Sequence, residues 1–383
     1  MREKELTICF QEIILDKRIK IRLKKIRKSI KEKNIDTLMV LVEENRRYLS
    51  GFTGEDAQFD ESAGAVFITQ DKLILATDSR YELQAKHESP LYEVLCYKKG
   101  LIKELPSILT ILKAEKLGFE SIRMSYMWHK KIIEQLISEK IDITLVETEN
   151  IVENLRIKKD EQEIELTKKA VDIAESAFME TAKEIAVGMT EKEAAWDLEK
   201  RLREKGADSL SFPVICASGP NSALPHAIPC DRKFKKNEPV LFDWGVKLNG
   251  YCSDISRTLI IGGPDETFKK VFKTVIEAQQ KAIKAIKPGI SSKSIDKIAR
   301  DYIEENGFKG KFRHGTGHGT GLAVHEQPSI SPLKETTLEP GMLFTVEPGI
   351  YIPGWGGVRI ENQVVVKENG VQVLNSLEPS FSI

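Results

Sequence analysis

The sequence predicts an α/β domain followed by an α+β domain, over residues 1–150 and 151–383, the second built from two related halves. Three observations carry this expectation. At 383 residues the chain is longer than one ordinary core accommodates. Its first 150 residues alternate short apolar runs with helical stretches. Beyond them, a pattern of glycine turn, helix and strand returns about a hundred residues later.

Composition narrows the function classes. The chain is 41% hydrophobic and 30% charged, with 58 basic and 58 acidic residues, so no overall charge draws it to nucleic acid or a membrane surface. Five scattered cysteines form no CxxC pair, which leaves neither a disulfide framework nor a thiolate zinc site. The polar N-terminus has no signal-like apolar core and no run is long enough to span a bilayer, so a cytoplasmic protein is expected.

Within the first domain, Ile19, Leu23, Ile26 and Ile30 recur at helical spacing through the basic stretch Lys17 to Lys33. They predict an amphipathic helix with a solvated basic face. DTLMVLV (36–42), GAVFITQ (64–70) and KLILATD (72–78) read as buried strands, the last two joined by a tight turn. KELPSILTILKAE and HKKIIEQLISEK read as helices. His87 and His129 stand in charged surroundings that surface roles explain.

In the second domain, VGMTEKEAAWDLEKRLREKGA (187–207) matches PGISSKSIDKIARDYIEENGF (288–308), with Gly188 on Gly289 and Gly206 on Gly307 at a constant offset of 101. Thr190 and Glu193 form a capping box. EPVLFDWG (238–245) resembles EPGMLFTVEPG (339–349), and GYCSDISRTL (250–259) resembles GVRIENQVVV (357–366). His226 and His325 also fall in matched places, so a site between the halves would receive acids and a histidine from each.

The strands around Asn249-Gly250 predict a hairpin in which Leu248 faces Tyr251 and Asp254 faces Gly245. Asp243 and Asp254 then share one face as diagonal neighbours roughly 7–8 Å apart. Glu347 closes the apolar strand MLFTVE and Glu361 interrupts VRIENQVVV. Carboxylates in apolar strands are costly to bury without a counter-ion. Each singly could be an ordinary strand-end acid, but four in repeat-related places balance two divalent cations. An imidazole and a bridging hydroxide would complete such a shell. Hard oxygen donors with a single histidine favour Mn2+, with Co2+, Fe2+ or Zn2+ as alternatives, and His325-Glu326 lacks the second histidine of HExxH.

The run HGTGHGTGLAVHE (314–326) holds half of the six histidines. With EPGIY and GVRIEN it resembles the pita-bread metallopeptidases, within which the chain is similar to the Xaa-Pro aminopeptidase (aminopeptidase P) and prolidase branch. ENRRYLSGFTGE (44–55) and TDSRYELQA (77–85) resemble the creatinase-type N-terminal domain of that branch. The resemblance implies a pita-bread fold of two pseudo-symmetric halves and a dinuclear site of Asp243, Asp254, His318, Glu347 and Glu361. It implies that a metal-bridged hydroxide attacks the carbonyl before proline, with Glu347 as general base and then acid. His325 would hydrogen-bond that carbonyl, and His226 would bind substrate and shuttle a proton near the leaving group.

His314, Tyr351 and Arg359 are expected around the substrate, Arg359 also supporting the metal carboxylates. The glycines of the run are expected to let backbone approach the metals and to take unusual φ. TDSRY and the compact size favour cleavage of the N-terminal Xaa-Pro bond of peptides, with a strict Xaa-Pro dipeptidase as the alternative. Three rivals fit less well. A phosphate-cradling loop would need another glycine spacing, while a metal-free binding module and a creatinase would each lack part of the ligand set. The first domain is expected to form a homodimer and to border the partner's site through Arg80 or the 51–59 loop.

Overall fold

The computed structural model describes the backbone of residues 2–56, 58 and 61–379, with side chains from residue 17 onward. Internal contacts separate two units, Met1–Leu155 and Arg156–Ile383.

In the first unit, the expected amphipathic helix is longer than its basic segment and runs Arg2–Glu32. Ile19, Leu23, Ile26 and Ile30 are all buried, each worth about 1.5–3 kcal/mol of transfer free energy. A six-stranded mixed sheet follows, in the order Glu93–Cys96, Leu73–Thr77, Gly64–Ile68, Thr37–Val40, Lys116–Glu120, Thr144–Thr148. Gly64–Ile68 runs antiparallel to both neighbours, and the other pairs are parallel. Helices Leu101–Leu112 and Tyr126–Ser138 cover it through Leu105, Ile108, Leu109, Ile132 and Leu136. Ala57 and Phe59 of the 51–59 loop lie outside the described residues.

The second unit shows its repeat in strand order. Ile215–Ser218, Pro239–Trp244 and Ile255–Ile260 form an antiparallel sheet with Pro239–Trp244 in the middle. Gly317–Gly319, Leu343–Val346 and Asn362–Lys367 repeat that order with Leu343–Val346 in the middle, extended by one further strand on each side. Each half carries a helix pair, Glu161–Glu184 with Glu191–Glu204 and Glu266–Ala285 with Ser292–Ile303. The Thr190 capping box is present, its hydroxyl accepting from Glu193 N at 3.1 Å; such a cap is worth about 1 kcal/mol.

The hairpin register is as read from sequence. Asn249 and Gly250 take φ of 47° and 82°, the left-handed pair of a tight turn, and Leu248 faces Tyr251. The same register continues to Ile255 opposite Trp244 and Ser256 opposite Asp243. Asp243 and Asp254 therefore meet on one face.

Candidate active site

A cavity of about 650 Å³ opens within the second unit. Asp243, Asp254, His318, Glu347 and Glu361 all reach its wall, as do His226, His314, His325 and Arg359. Phe212, Pro213, Val214, Ile228 and Leu333 supply the apolar part. Tyr351 does not line the cavity: it is buried behind the wall.

Each acid is placed by a strand or by a strand's end. Asp243 lies within Pro239–Trp244, Asp254 one residue before Ile255–Ile260, and Glu347 one residue after Leu343–Val346. Glu361 occupies the break between Gly356–Arg359 and Asn362–Lys367. His318 Nε2 stands 3.4 Å from Glu347 Oε1 and 3.5 Å from Asp254 Oδ2. Its Nδ1 lies 3.2 Å from Gly319 O. A carbonyl only accepts, so the proton sits on Nδ1 and a bare Nε2 faces the acids.

Arg359 ties the halves together. Its guanidinium donates to Asp243 Oδ2 at 2.5 Å and to Ser256 Oγ at 2.8 Å, and Ser256 in turn donates to Glu361 Oε2 at 2.7 Å. A third donation reaches the Tyr351 hydroxyl at 2.8 Å, which lies 2.9 Å from His314 Nε2. His314 Nδ1 is 2.8 Å from Gly315 O, so Nδ1 donates and Nε2 accepts from Tyr351. Tyr351 thus acts on the site through Arg359 and His314.

The electrostatics of the cavity side chains follow from crowding. Burial, then the neighbouring acids, push the Asp254 and Glu361 carboxyls well above the carboxylate range. Burial raises Glu347 to about 7 against the pull of Arg359. Burial likewise lowers His318, His325 to about 4 and His314 to about 3, leaving the imidazoles neutral at neutral pH.

The glycines of the histidine run do not take the unusual φ expected of them. Gly315, Gly317, Gly319 and Gly321 are not among the positive-φ residues. A Cβ at Gly317 would stand 1.9 Å from Thr345 O, and one at Gly319 would stand 2.2 Å from Gln327 O. Gly317 and Gly319 are small because neighbouring strand backbones pack against them, and a Cβ at Gly321 would stand 2.3 Å from the Glu326 carboxylate.

Three comparisons set this geometry among known proteins. Residues 165–368 match the family model "Metallopeptidase family M24", and residues 22–158 match "Creatinase/Prolidase N-terminal domain". The chain belongs to metallopeptidase family M24. It is 38% identical over 363 residues to an Xaa-Pro dipeptidase of Pyrococcus furiosus, covering 94% of this chain and 99% of that protein. The solved Xaa-Pro dipeptidase from Bacillus anthracis superposes with a TM-score of 0.89 at 37% identity, over 95% of this chain and 100% of that one. An X-Pro aminopeptidase structure from Thermotoga maritima gives 0.82 at 38% identity, over 91% and 98%. The creatinase-type first domain and the pita-bread second domain are thereby established.

The residues of this M24 metallopeptidase suit a metal. Asp254, His318 and Glu361 each offer a ligand atom within 4.8 Å of the others. Asp243 Oδ1 and Glu361 Oε1 are buried without any hydrogen-bond partner, an expense that a cation would relieve. Sequence reasoning passed over several supports. Ser256 and Thr345 look like ordinary strand residues, yet Thr345 Oγ1 accepts from His318 N at 3.1 Å and donates to Glu347 Oε1 at 3.3 Å. Gln363 accepts from Asp254 N at 3.1 Å and donates to Thr320 Oγ1 at 2.6 Å. Alternation put Ser256 and Gln363 on the site side of their strands, the one signal that could have found them. Glu326 turns away from the cavity to pair with Arg156 and, at 2.7 Å, with Lys159.

Proposed function

We propose that the chain is an Xaa-Pro dipeptidase, with Asp243, Asp254, His318, Glu347 and Glu361 holding two divalent ions, Mn2+ first among them. The observation that carries this is the convergence of four carboxylates and a bare imidazole nitrogen on one cavity. The relatives incline the choice toward the dipeptidase rather than the aminopeptidase first read from sequence, because the Pyrococcus and Bacillus proteins carry that name.

The bond to a proline nitrogen is a tertiary amide without an N–H, so recognition must come from elsewhere. Divalent metal, when bound, supplies a Lewis acid and an acidified water. Glu347 accepts a proton in the cavity and returns it to the leaving proline nitrogen. His325, neutral at pH 7, donates its N–H to the carbonyl oxygen as charge develops there. His226 lines the cavity and relays that proton toward the leaving group. His314 and Arg359 border the proline, held in place by Tyr351. The apolar wall keeps bulk water from the reacting bond.

We assign homodimerisation to the first domain, where Arg80 is largely exposed beside its own Asp78. A fully active monomer in light scattering would refute that role. Among the described residues, no helix is long and apolar enough to cross a membrane.

The test is to strip metal with chelator, restore Mn2+, and compare an Xaa-Pro dipeptide with an Xaa-Pro-Zaa tripeptide by product mass. Cleavage of the dipeptide alone is expected. Release of Xaa from the tripeptide would make the chain an aminopeptidase, as the Thermotoga structure is titled.

A further inference from the structure

Helix Glu266–Ala285 presents an apolar face: Phe268, Val271, Phe272, Val275, Ala278 and Ala282 are all buried. Gln279 sits on that face at 2% exposure. Burying a side-chain amide is costly unless its protons are used. Here its Nε2 donates twice, to Val346 O at 2.9 Å and to Ile360 O at 3.0 Å. These two carbonyls belong to the residues immediately before Glu347 and Glu361.

The position matters because of where the strand ladder stops. Pairing between Leu343–Val346 and Asn362–Lys367 ends with Val346 opposite Asn362, one residue short of both glutamates. Gln279 spans the two chains at that point, where they leave the sheet. Its place in the sister half says the same. At the repeat offset of 101 the matching residue is Phe178, whose ring stacks on Trp244 at 4.2 Å. An apolar side chain is therefore acceptable at this point of the helix pair, and packing alone does not demand an amide.

We infer that Gln279 is a positioning residue for the metal centre: by tying the backbone ahead of Glu347 and Glu361, it sets the spacing of their carboxylates. This rests on the reading that both glutamates hold metal, and not on the identity of the peptide cleaved. Gln279→Met keeps the length of the side chain and removes both donations. Val275→Ala, one turn earlier on the same buried face, removes packing and no hydrogen bond to the site.

The experiment is calorimetric titration of the chelated full-length chain with Mn2+, alongside thermal unfolding and dipeptide kinetics. Gln279→Met should lose about tenfold or more in Mn2+ affinity, with the loss of rate falling on kcat rather than KM. Val275→Ala should unfold at lower temperature while binding Mn2+ as the parent does. Should Gln279→Met not accumulate folded, Gln279→Asn is measured in its place, since it is too short to reach both carbonyls and should show the same loss. Parental affinity in either folded Gln279 variant overturns the inference, as does an equal loss in Val275→Ala. A parent chain that binds no divalent metal overturns it together with the metal site. A parent that binds Mn2+ yet leaves Xaa-Pro dipeptides intact refutes the substrate alone.

Discussion

The two halves of the second domain run their strands in the same order but secure their site acids by different means. In the first half, Asp243 lies inside a strand paired on both sides, with Ile215 and Ser256 as its partners. The following residue, Trp244, is pinned by the Phe178 ring and by its own Nε1 donating to Ala174 O at 3.0 Å. In the second half, Glu347 stands beyond its strand and carries one more rotatable bond. It is held by hydrogen bonds: its N–H donates to Thr316 O at 2.7 Å, Thr345 reaches its carboxylate, and Gln279 holds the preceding carbonyl. A short acid inside a doubly paired strand has its backbone set by the ladder itself, with Arg359 on its carboxylate and packing adding stability. A longer one past the end of the ladder needs its backbone tied.

The largest expected effect tests whether the halves are equal partners. Asp243→Asn and Glu347→Gln should each lower kcat/KM by about a thousandfold; steady-state assay with Mn2+ checks this, and a near-normal rate in either variant would leave one half dispensable. Next, Phe178→Ala should cost about 3–5 kcal/mol of stability while the folded fraction keeps its Mn2+ affinity, read by denaturant unfolding and titration. A tenfold loss of affinity there would erase the contrast between packed and hydrogen-bonded support.

Glu326 sharpens the comparison from within the histidine run. Burial pushes its carboxyl up, but Lys159 and Arg156 more than reverse this and hold it below its ordinary value of 4.5. In the unfolded chain that ordinary value returns, so the stabilisation is complete above about pH 4.5 and is lost as pH falls through the folded pKa. Glu326→Gln should therefore cost about 3 kcal/mol at pH 7 and flatten the acid limb of the stability curve. Unchanged stability at pH 7 would show the pair contributes nothing. The smallest effect belongs to the first half's turn: Asn249→Ala, at φ of 47°, should cost about 1 kcal/mol with activity intact. A large loss of activity would mean the hairpin turn, and not only its register, positions Asp254.

Much of this architecture was legible without coordinates. Period-2 alternation and the Asn249-Gly250 turn set the hairpin register, and so placed Asp243 and Asp254 together, because a side-chain period of two leaves a strand only two choices of face. The repeat predicted the second half by analogy with the first. The supports were less visible: Gln279, Ser256 and Gln363 are single polar residues in apolar elements, and their partners lie on the far side of the domain in sequence. Tyr351 was expected at the substrate because it follows EPG, but it points behind the wall, to Arg359 and His314. The run's glycines were expected to take unusual φ, whereas close contacts account for three of them: Gly317 with Thr345, Gly319 with Gln327 and Gly321 with Glu326.

By itself the sequence determined the two domains, the family and the set of ionisable groups, since composition, period and repeat are local properties of the chain. Tertiary structure alone decided which polar residues support those groups and which carboxylate turns away. Hydrogen bonds form over about 3 Å, here between residues as far apart in sequence as Ser256 and Glu361, and only the folded backbone brings such donors and acceptors within that range.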